Sequence, residues 1–298
     1  MNQTRNLSEK VIIRAIQASG YSSILFVIMI VFFLLSEGLP ALTEVPISSL
    51  LNSRWYPIEA LYGILPLFLG SIVVTLGSTF ISVPFGIITA VFLSEVAPKW
   101  AREILKPLVE ILAGLPSVML GFLGILVLSP LLREFLNLPT GLTAFTGSLL
   151  LGGIAVPTIV SIAEDALGNV PQSYRQAALA LGATRWQTIW GVTVPAARSG
   201  ILTAIMLGVG RAMGETMTVM MVTGNAALLP TSLQALFMPI RTMTATIASE
   251  MGEVAKGSTH YHILFLIGIF LFVISLAVNI TATVISRRNQ TRAERILS

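Results

Sequence analysis

The sequence predicts an all-α integral membrane protein with six transmembrane helices, and three observations carry that prediction. The 298 residues are 54% hydrophobic and 11% charged, with a mean hydropathy of +0.85, whereas a soluble domain carries roughly 25% charged residues. Uncharged runs recur at 15–36, 60–94, 111–132, 135–163 and 263–286, each long enough for the roughly 20 apolar residues of a spanning helix. A further run at 199–240 is broken only by Arg211 and Glu215. Thirteen of the eighteen lysines and arginines fall in the two terminal segments and alternate connections, against four in the other connections. That asymmetry places both termini in the cytoplasm.

The elements follow in chain order. Residues 1–19 read as an amphipathic lead-in on the inner membrane surface, with Lys10 and Arg14 beside Val11, Ile12 and Ile13. The first span, 20–37, has an apolar core too long for a secretory signal and no small-residue cleavage site closely after it, so it reads as a retained helix. Spans two to four are expected at 68–94, 109–130 and 143–163. Pro84, Pro116 and Pro157 fall inside them and should kink them, since freed carbonyls are tolerated only against protein or a cavity. The fifth span, 200–223, contains Arg211 and Glu215. The sixth, 263–285, leads into the basic tail 287–298. All of 20–286 reads as one transmembrane domain.

Two connections are long. The cytoplasmic loop 164–198 carries helix signals. Asn169 and Pro171 mark a start, Tyr174, Ala177, Ala178 and Leu181 share one face, and Gly182 is a stop. Thr184 with Gln187 forms a capping box that opens a second short helix. An alanine-rich helix on this face either fits a groove on another protein or simply links two spans. The outer loop 225–262 has ends rich in glycine and proline and a helix-compatible middle, RTMTATIASEMGEVAK. It either faces an outer partner or packs on the ends of helices five and six.

Several chemistries are excluded. None of the four lysines follows a glycine, so no Walker A loop is present. With no cysteine, neither a disulfide framework nor a cysteine-based metal site is available. His260 and His262, two residues apart at the mouth of the sixth helix, read as interfacial residues, not metal ligands or catalysts. The pI near 9.7 is a topology signal and leaves no nucleic-acid partner to explain.

The chemistry-bearing stretch is GRAMGETM, Gly210–Met217. A charge within a span costs at least ~2.5–3.5 kcal/mol, so it must pair, face water or serve a solute. The i, i+4 spacing sets Arg211 and Glu215 on one helical face, where they can neutralise each other. The guanidinium fork also suits phosphate oxygens. The pair therefore reads either as a structural ion pair or as a counter-charge on an anion pathway, with Glu215 limiting how tightly the anion is held. Ser117, Thr216 and Thr218 are candidate pathway hydroxyls.

Gln176-Ala177-Ala178, then three residues, Gly182, nine residues, and Val192-Thr193-Val194-Pro195 resemble the EAA motif of ABC-importer permeases, E-A-A, three residues, G, nine residues, I-x-L-P. Gln176, Val192 and Val194 depart from it; the Gly182 and Pro195 spacing is kept. The stretches at 82–98, 111–128, 210–225 and 241–265 are similar to PstC-type permeases of phosphate importers, a resemblance running from about 60 to 285. It implies a MetI-like ABC-importer permease core and import of inorganic phosphate across the inner membrane by alternating access. It implies a PstA-type sister permease, two PstB-type ATPase subunits that carry the ATP and Mg, and a PstS-type binding protein outside, with lipid around the bundle. This chain would then hold no cofactor and catalyse nothing itself. By resemblance, Tyr174, Gln176, Ala177, Ala178, Leu181 and Gly182 contact the ATPase, while Arg211 and Glu215 serve phosphate passage. Rival readings are a permease for phosphonate, sulfate or molybdate, a self-contained channel or secondary transporter, and an assembly scaffold.

Overall fold

The computed structural model describes residues 2–297, with side chains described at 9, 12–281, 283 and 284. The part of the expected amphipathic lead-in that rests on Lys10 and Val11, and the side chains of the basic tail 287–298, therefore lie outside the described residues. Helix α1 (Asn2–Gly38) runs unbroken through the lead-in and the first span. Two short helices, α2 (Ala41–Glu44) and α3 (Ile47–Leu50), and a hairpin of β1 (Trp55–Tyr56) and β2 (Leu61–Tyr62) follow. Helix α4 (Leu65–Val91) continues into a π turn, Phe92–Val96, and α5 (Lys99–Gly114) lies beyond it. Helix α6 (Ser117–Leu123), a second π turn (Gly124–Leu128) and α7 (Ser129–Phe135) make one span.

Helix α8 (Ala144–Gly168) is followed by α9 (Gln172–Ala180), α10 (Arg185–Thr188), a third π turn (Ile189–Thr193) and α11 (Val194–Ala196). Helix α12 (Arg198–Gly214) and α13 (Met217–Val222) come next, then α14 (Met243–Glu250) and α15 (Thr259–Leu297). Among the described residues, five continuous helices are long and apolar enough to cross a membrane. Counting the pair Arg185–Ala196 and Arg198–Gly214, bent by 70°, as one span brings the number to six by length and composition.

Two expectations need correction. The third span is not 109–130: it starts at Ser117 and ends at Phe135, and 99–114 is a separate helix. Pro116 does not kink a helix but separates two. A proline drives the preceding residue out of the α region, and Leu115 is extended at φ −65°, ψ 135°. Pro84 and Pro157, in contrast, lie inside α4 and α8, which continue past them.

Helices α4, α8 and α12 form the centre of the bundle. Ile159 of α8, fully buried, sits between glycines of the other two. A methyl group at Gly86 would lie 2.6 Å from its Cγ2, and one at Gly208 2.4 Å from its Cγ1. Small residues let spanning helices approach where lipid gives no hydrophobic drive to associate. Ala90, Val91, Ala163, Leu167, Ile189 and Ala204 extend this core toward the 164–198 loop. At the other end, Trp55, Tyr62, Leu67, Met243, Ile263 and Ile267 pack the hairpin, α14 and α15 on α4. Large apolar side chains such as Phe26, Phe80 and Phe122 stay exposed on the flanks, as expected of surfaces that meet lipid.

Candidate functional site

Two helix breaks lie side by side. Gly114 ends α5 and α6 starts at Ser117; Gly214 ends α12 and α13 starts at Met217. Glu215, extended at φ −69°, ψ 125°, breaks the second helix. A broken helix frees carbonyls that must find donors. Thr218 Oγ1 donates to the Ser117 carbonyl at 3.0 Å, which joins the two breaks directly. Thr244 Oγ1 donates to the Glu215 carbonyl at 3.3 Å and Thr216 Oγ1 to that of Gly214 at 3.2 Å.

Arg211 completes the junction. Its Nη2 donates to the carbonyl of Ala113, in the last turn of α5, at 3.1 Å, and its Nη1 to Thr158 Oγ1 of α8 at 3.2 Å. The expected Arg211–Glu215 pair is not formed: among the described residues Arg211 makes no ion pair. The i, i+4 rule assumes a continuous helix, and α12 stops at Gly214. Glu215 Oε1 instead accepts the backbone N–H of Thr218 at 3.3 Å, at the start of α13. A carboxylate is favourable there, beside orphan N–H groups and the positive end of a helix. Glu215 also borders a cavity of about 10 Å³ with Ser71, Thr75, Thr242 and Thr244, room for about one water. Arg211 is thus left with neutral partners and an uncancelled positive charge within a span. Of the five pathway residues expected from sequence, the structure links Ser117 to Thr218 by a hydrogen bond, while Thr216 bonds only its own turn.

At the 164–198 loop, α9 buries no side chain. Tyr174 packs partly into the bundle core, Ala177 and Gln176 are exposed, and Leu181 is 90% exposed. Gly182, at φ +84°, ends α9. Its N–H donates to the Leu179 carbonyl and that of Ala183 to Ala178, a Schellman closure that needs a left-handed residue. The Thr184–Gln187 capping box forms, with Thr184 N–H to Gln187 Oε1 at 2.8 Å. Asn169, in contrast, caps the end of α8, and Pro171 alone precedes α9. Trp186 and Trp190 are more than half exposed beside it.

The loop is tied to the bundle by cations that no sequence motif singles out. Arg175 on α9 reaches Glu95, and Arg102 and Lys106 on α5 reach the π turn 92–96 and α8. No spacing rule exposes such pairs, because Arg175 and Glu95 are 80 residues apart. At the end of the bundle away from this loop, Glu250 accepts from Arg241, from Trp55 Nε1 at 3.1 Å and pairs with His260 at 2.8 Å. His262 pairs with Glu44. Both histidines are thus carboxylate partners joining α15 to its neighbours. Among the described residues no group of three or more His, Cys, Asp or Glu is placed to hold a metal.

Comparison with known proteins fits this geometry. Residues 82–291 match the family model described as binding-protein-dependent transport system inner membrane component. A probable ABC transporter permease protein of Bacillus subtilis, YqgH, is 40% identical over 77% of this chain and 74% of its own length. The phosphate transport system permease protein PstC of Xylella fastidiosa is 34% identical over 82% and 80%, and that of Haemophilus influenzae 32% identical over 83% of each chain. Among solved structures, an inward-facing MetNI methionine ABC transporter aligns over 79% of this chain and 99% of its own, with TM-score 0.57 and 18% identity. A bacterial alginate ABC transporter in complex with its periplasmic protein aligns over 92% and 96%, with TM-score 0.58 and 16% identity. At such identities the two structures speak to the fold alone.

Proposed function

Since the chain belongs to the binding-protein-dependent transport system inner membrane components, with PstC-type permeases among its relatives, we propose that it is a permease subunit of an ATP-driven importer of inorganic phosphate. The observation that carries the solute is Arg211. A guanidinium within a span, held by one hydroxyl and one carbonyl at the junction of two broken helices, keeps its charge for an anion. A tight ion pair there would hold no such charge in reserve. Glu215 acts separately, fixing the start of α13 by accepting from Thr218 and turning its backbone toward Thr244.

The rest of the assembly follows the family logic. Helix α9 with Gly182 presents the surface for an ATPase subunit. A PstA-type permease completes the pathway, two PstB-type subunits bind ATP and Mg, and a PstS-type protein delivers phosphate from outside. Both termini lie in the cytoplasm, with the basic connections. This chain's own residues hold no nucleotide and perform no covalent step; they bind, release and gate.

The test is phosphate uptake into proteoliposomes holding the complete assembly, parent against Arg211→Gln, with sulfate as competitor. A lost charge-assisted hydrogen bond is worth about 1.5–3 kcal/mol, so uptake should fall about tenfold or more while ATP hydrolysis and assembly persist. Uptake unchanged in Arg211→Gln refutes the pathway role. Parent uptake abolished by equimolar sulfate refutes the phosphate assignment.

A further inference from the structure

We propose that Arg175 is a positioning residue that couples α9 to the membrane helices, and that its ion pair with Glu95 is the strut through which motion of the loop reaches the two breaks. The inference rests on the importer reading above and adds to it a residue that the motif does not contain.

The geometry is specific. Arg175 Nη2 donates to Glu95 Oε1 at 2.6 Å and Nε to Oε2 at 3.3 Å, a two-pronged contact with the π turn that ends α4. The same guanidinium donates to the carbonyls of Leu167 at 2.8 Å and Val170 at 2.6 Å, at the end of α8. Both side chains are nearly buried, Arg175 at 13% and Glu95 at 10% exposure. A cation at the carbonyl end of a helix is favoured by orphan acceptors and by the helix dipole. Four donor contacts from one planar group fix position, and a lysine in its place reaches fewer of them.

Apart from Arg175 itself, only Tyr174 of α9 is seen packing partly against the core, so apolar packing alone grips the helix weakly. Arg175 therefore carries much of its attachment to α4 and α8. The frame then closes. Arg102 Nε and Nη2 donate to the carbonyls of Leu93 and Ser94 in the same π turn, and Lys106 bonds Glu164 and Asp165 of α8. Helix α5, which bears both cations, ends at the break where the Ala113 carbonyl receives Arg211. A displacement of α9 is thus shared by α4, α8 and α5, and α5 leads to the anion site.

The chain has no cysteine, so paired spin labels can be placed at Lys99→Cys and Ser173→Cys, both exposed. Distances are read in the assembled complex, nucleotide-free and vanadate-trapped, beside phosphate transported per ATP hydrolysed. With the strut intact, the distance distribution stays narrow and equal in both states. Arg175→Ala and the milder Glu95→Gln should broaden it and cut transport per ATP roughly tenfold, within the range of coupling effects seen for single substitutions, while basal ATP hydrolysis continues. A narrow distribution in Glu95→Gln, or transport per ATP equal to the parent, overturns the proposal, as does a parallel loss of hydrolysis and transport. If the parent moves no phosphate, the solute reading fails on its own, and the distance distributions still decide the strut.

Discussion

A guanidinium whose hydrogen-bond partners are a hydroxyl and a carbonyl retains its whole charge, and a carboxylate at the start of a helix is already satisfied. Arg211 and Glu215 should then behave as independent residues. In a double-mutant cycle Glu215→Gln should not compensate for Arg211→Gln in uptake, as the loss of an ion-pair partner would; recovery of activity in the double variant would restore the ion pair that the structure lacks. Lys106 is different, because it is paired. Its hydrogen bond to Glu164 raises the ammonium above its ordinary value of 10.5, against the opposing pull of burial. A raised folded value means the stabilisation is complete below 10.5 and is lost only as pH climbs through the higher folded value. Thermal unfolding of the complex between neutral and mildly alkaline pH should therefore show no loss that Lys106→Gln abolishes.

At the scale of elements, ends matter more than interiors. Gly182 has open space around it, so Gly182→Ala costs only the left-handed backbone, about 1–2 kcal/mol, and hydrogen exchange should quicken at the end of α9. Thr184→Ala removes one side of the capping box, costs about 1 kcal/mol, and should loosen α10 in the same measurement. These ends were legible in the sequence, since Gly182, Thr184 and Gln187 are local signals for local geometry. The spans were legible as well, because lipid demands uncharged length. The start of the third span was not. The uncharged run begins at Ile111, before the helix breaks at Leu115, and hydropathy does not register a change of direction. The break at Glu215 was hidden for a related reason: Gly214 is a weak stop, and i, i+4 spacing argued for continuity. A hairpin of two-residue strands at Trp55–Tyr56 and Leu61–Tyr62 is too short for any alternation to reveal it.

The whole molecule is held at both ends by polar clusters and in the middle by small residues. The cluster away from the 164–198 loop centres on Glu250, 15% exposed, with Arg241, His260 and Trp55 around it. Removing one partner of a largely buried pair typically costs about 3–5 kcal/mol, so Glu250→Ala should lower the melting temperature of the purified complex more than any capping variant. Gly70 is the other anchor at that end. A methyl there would lie 2.2 Å from the Arg241 carbonyl, so Gly70→Ala should force the 225–262 connection off α4 and destabilise the same end. Long-range contacts of this kind leave no trace in sequence spacing: Met243 N–H finds Ser71 Oγ across 172 residues.

The π turns at Phe92–Val96, Gly124–Leu128 and Ile189–Thr193 have a bearing on chain length. A π turn houses one residue more than an α turn. Deleting a residue such as Leu126 can relax that turn to ordinary pitch and leave every side chain beyond it on its own face. Deleting a residue in the middle of α8 has no such slack and rotates all that follows by roughly 100°. Single-residue gaps should therefore be tolerated at these turns and not within the helices around them, and permeases of this fold can differ in length without differing in register.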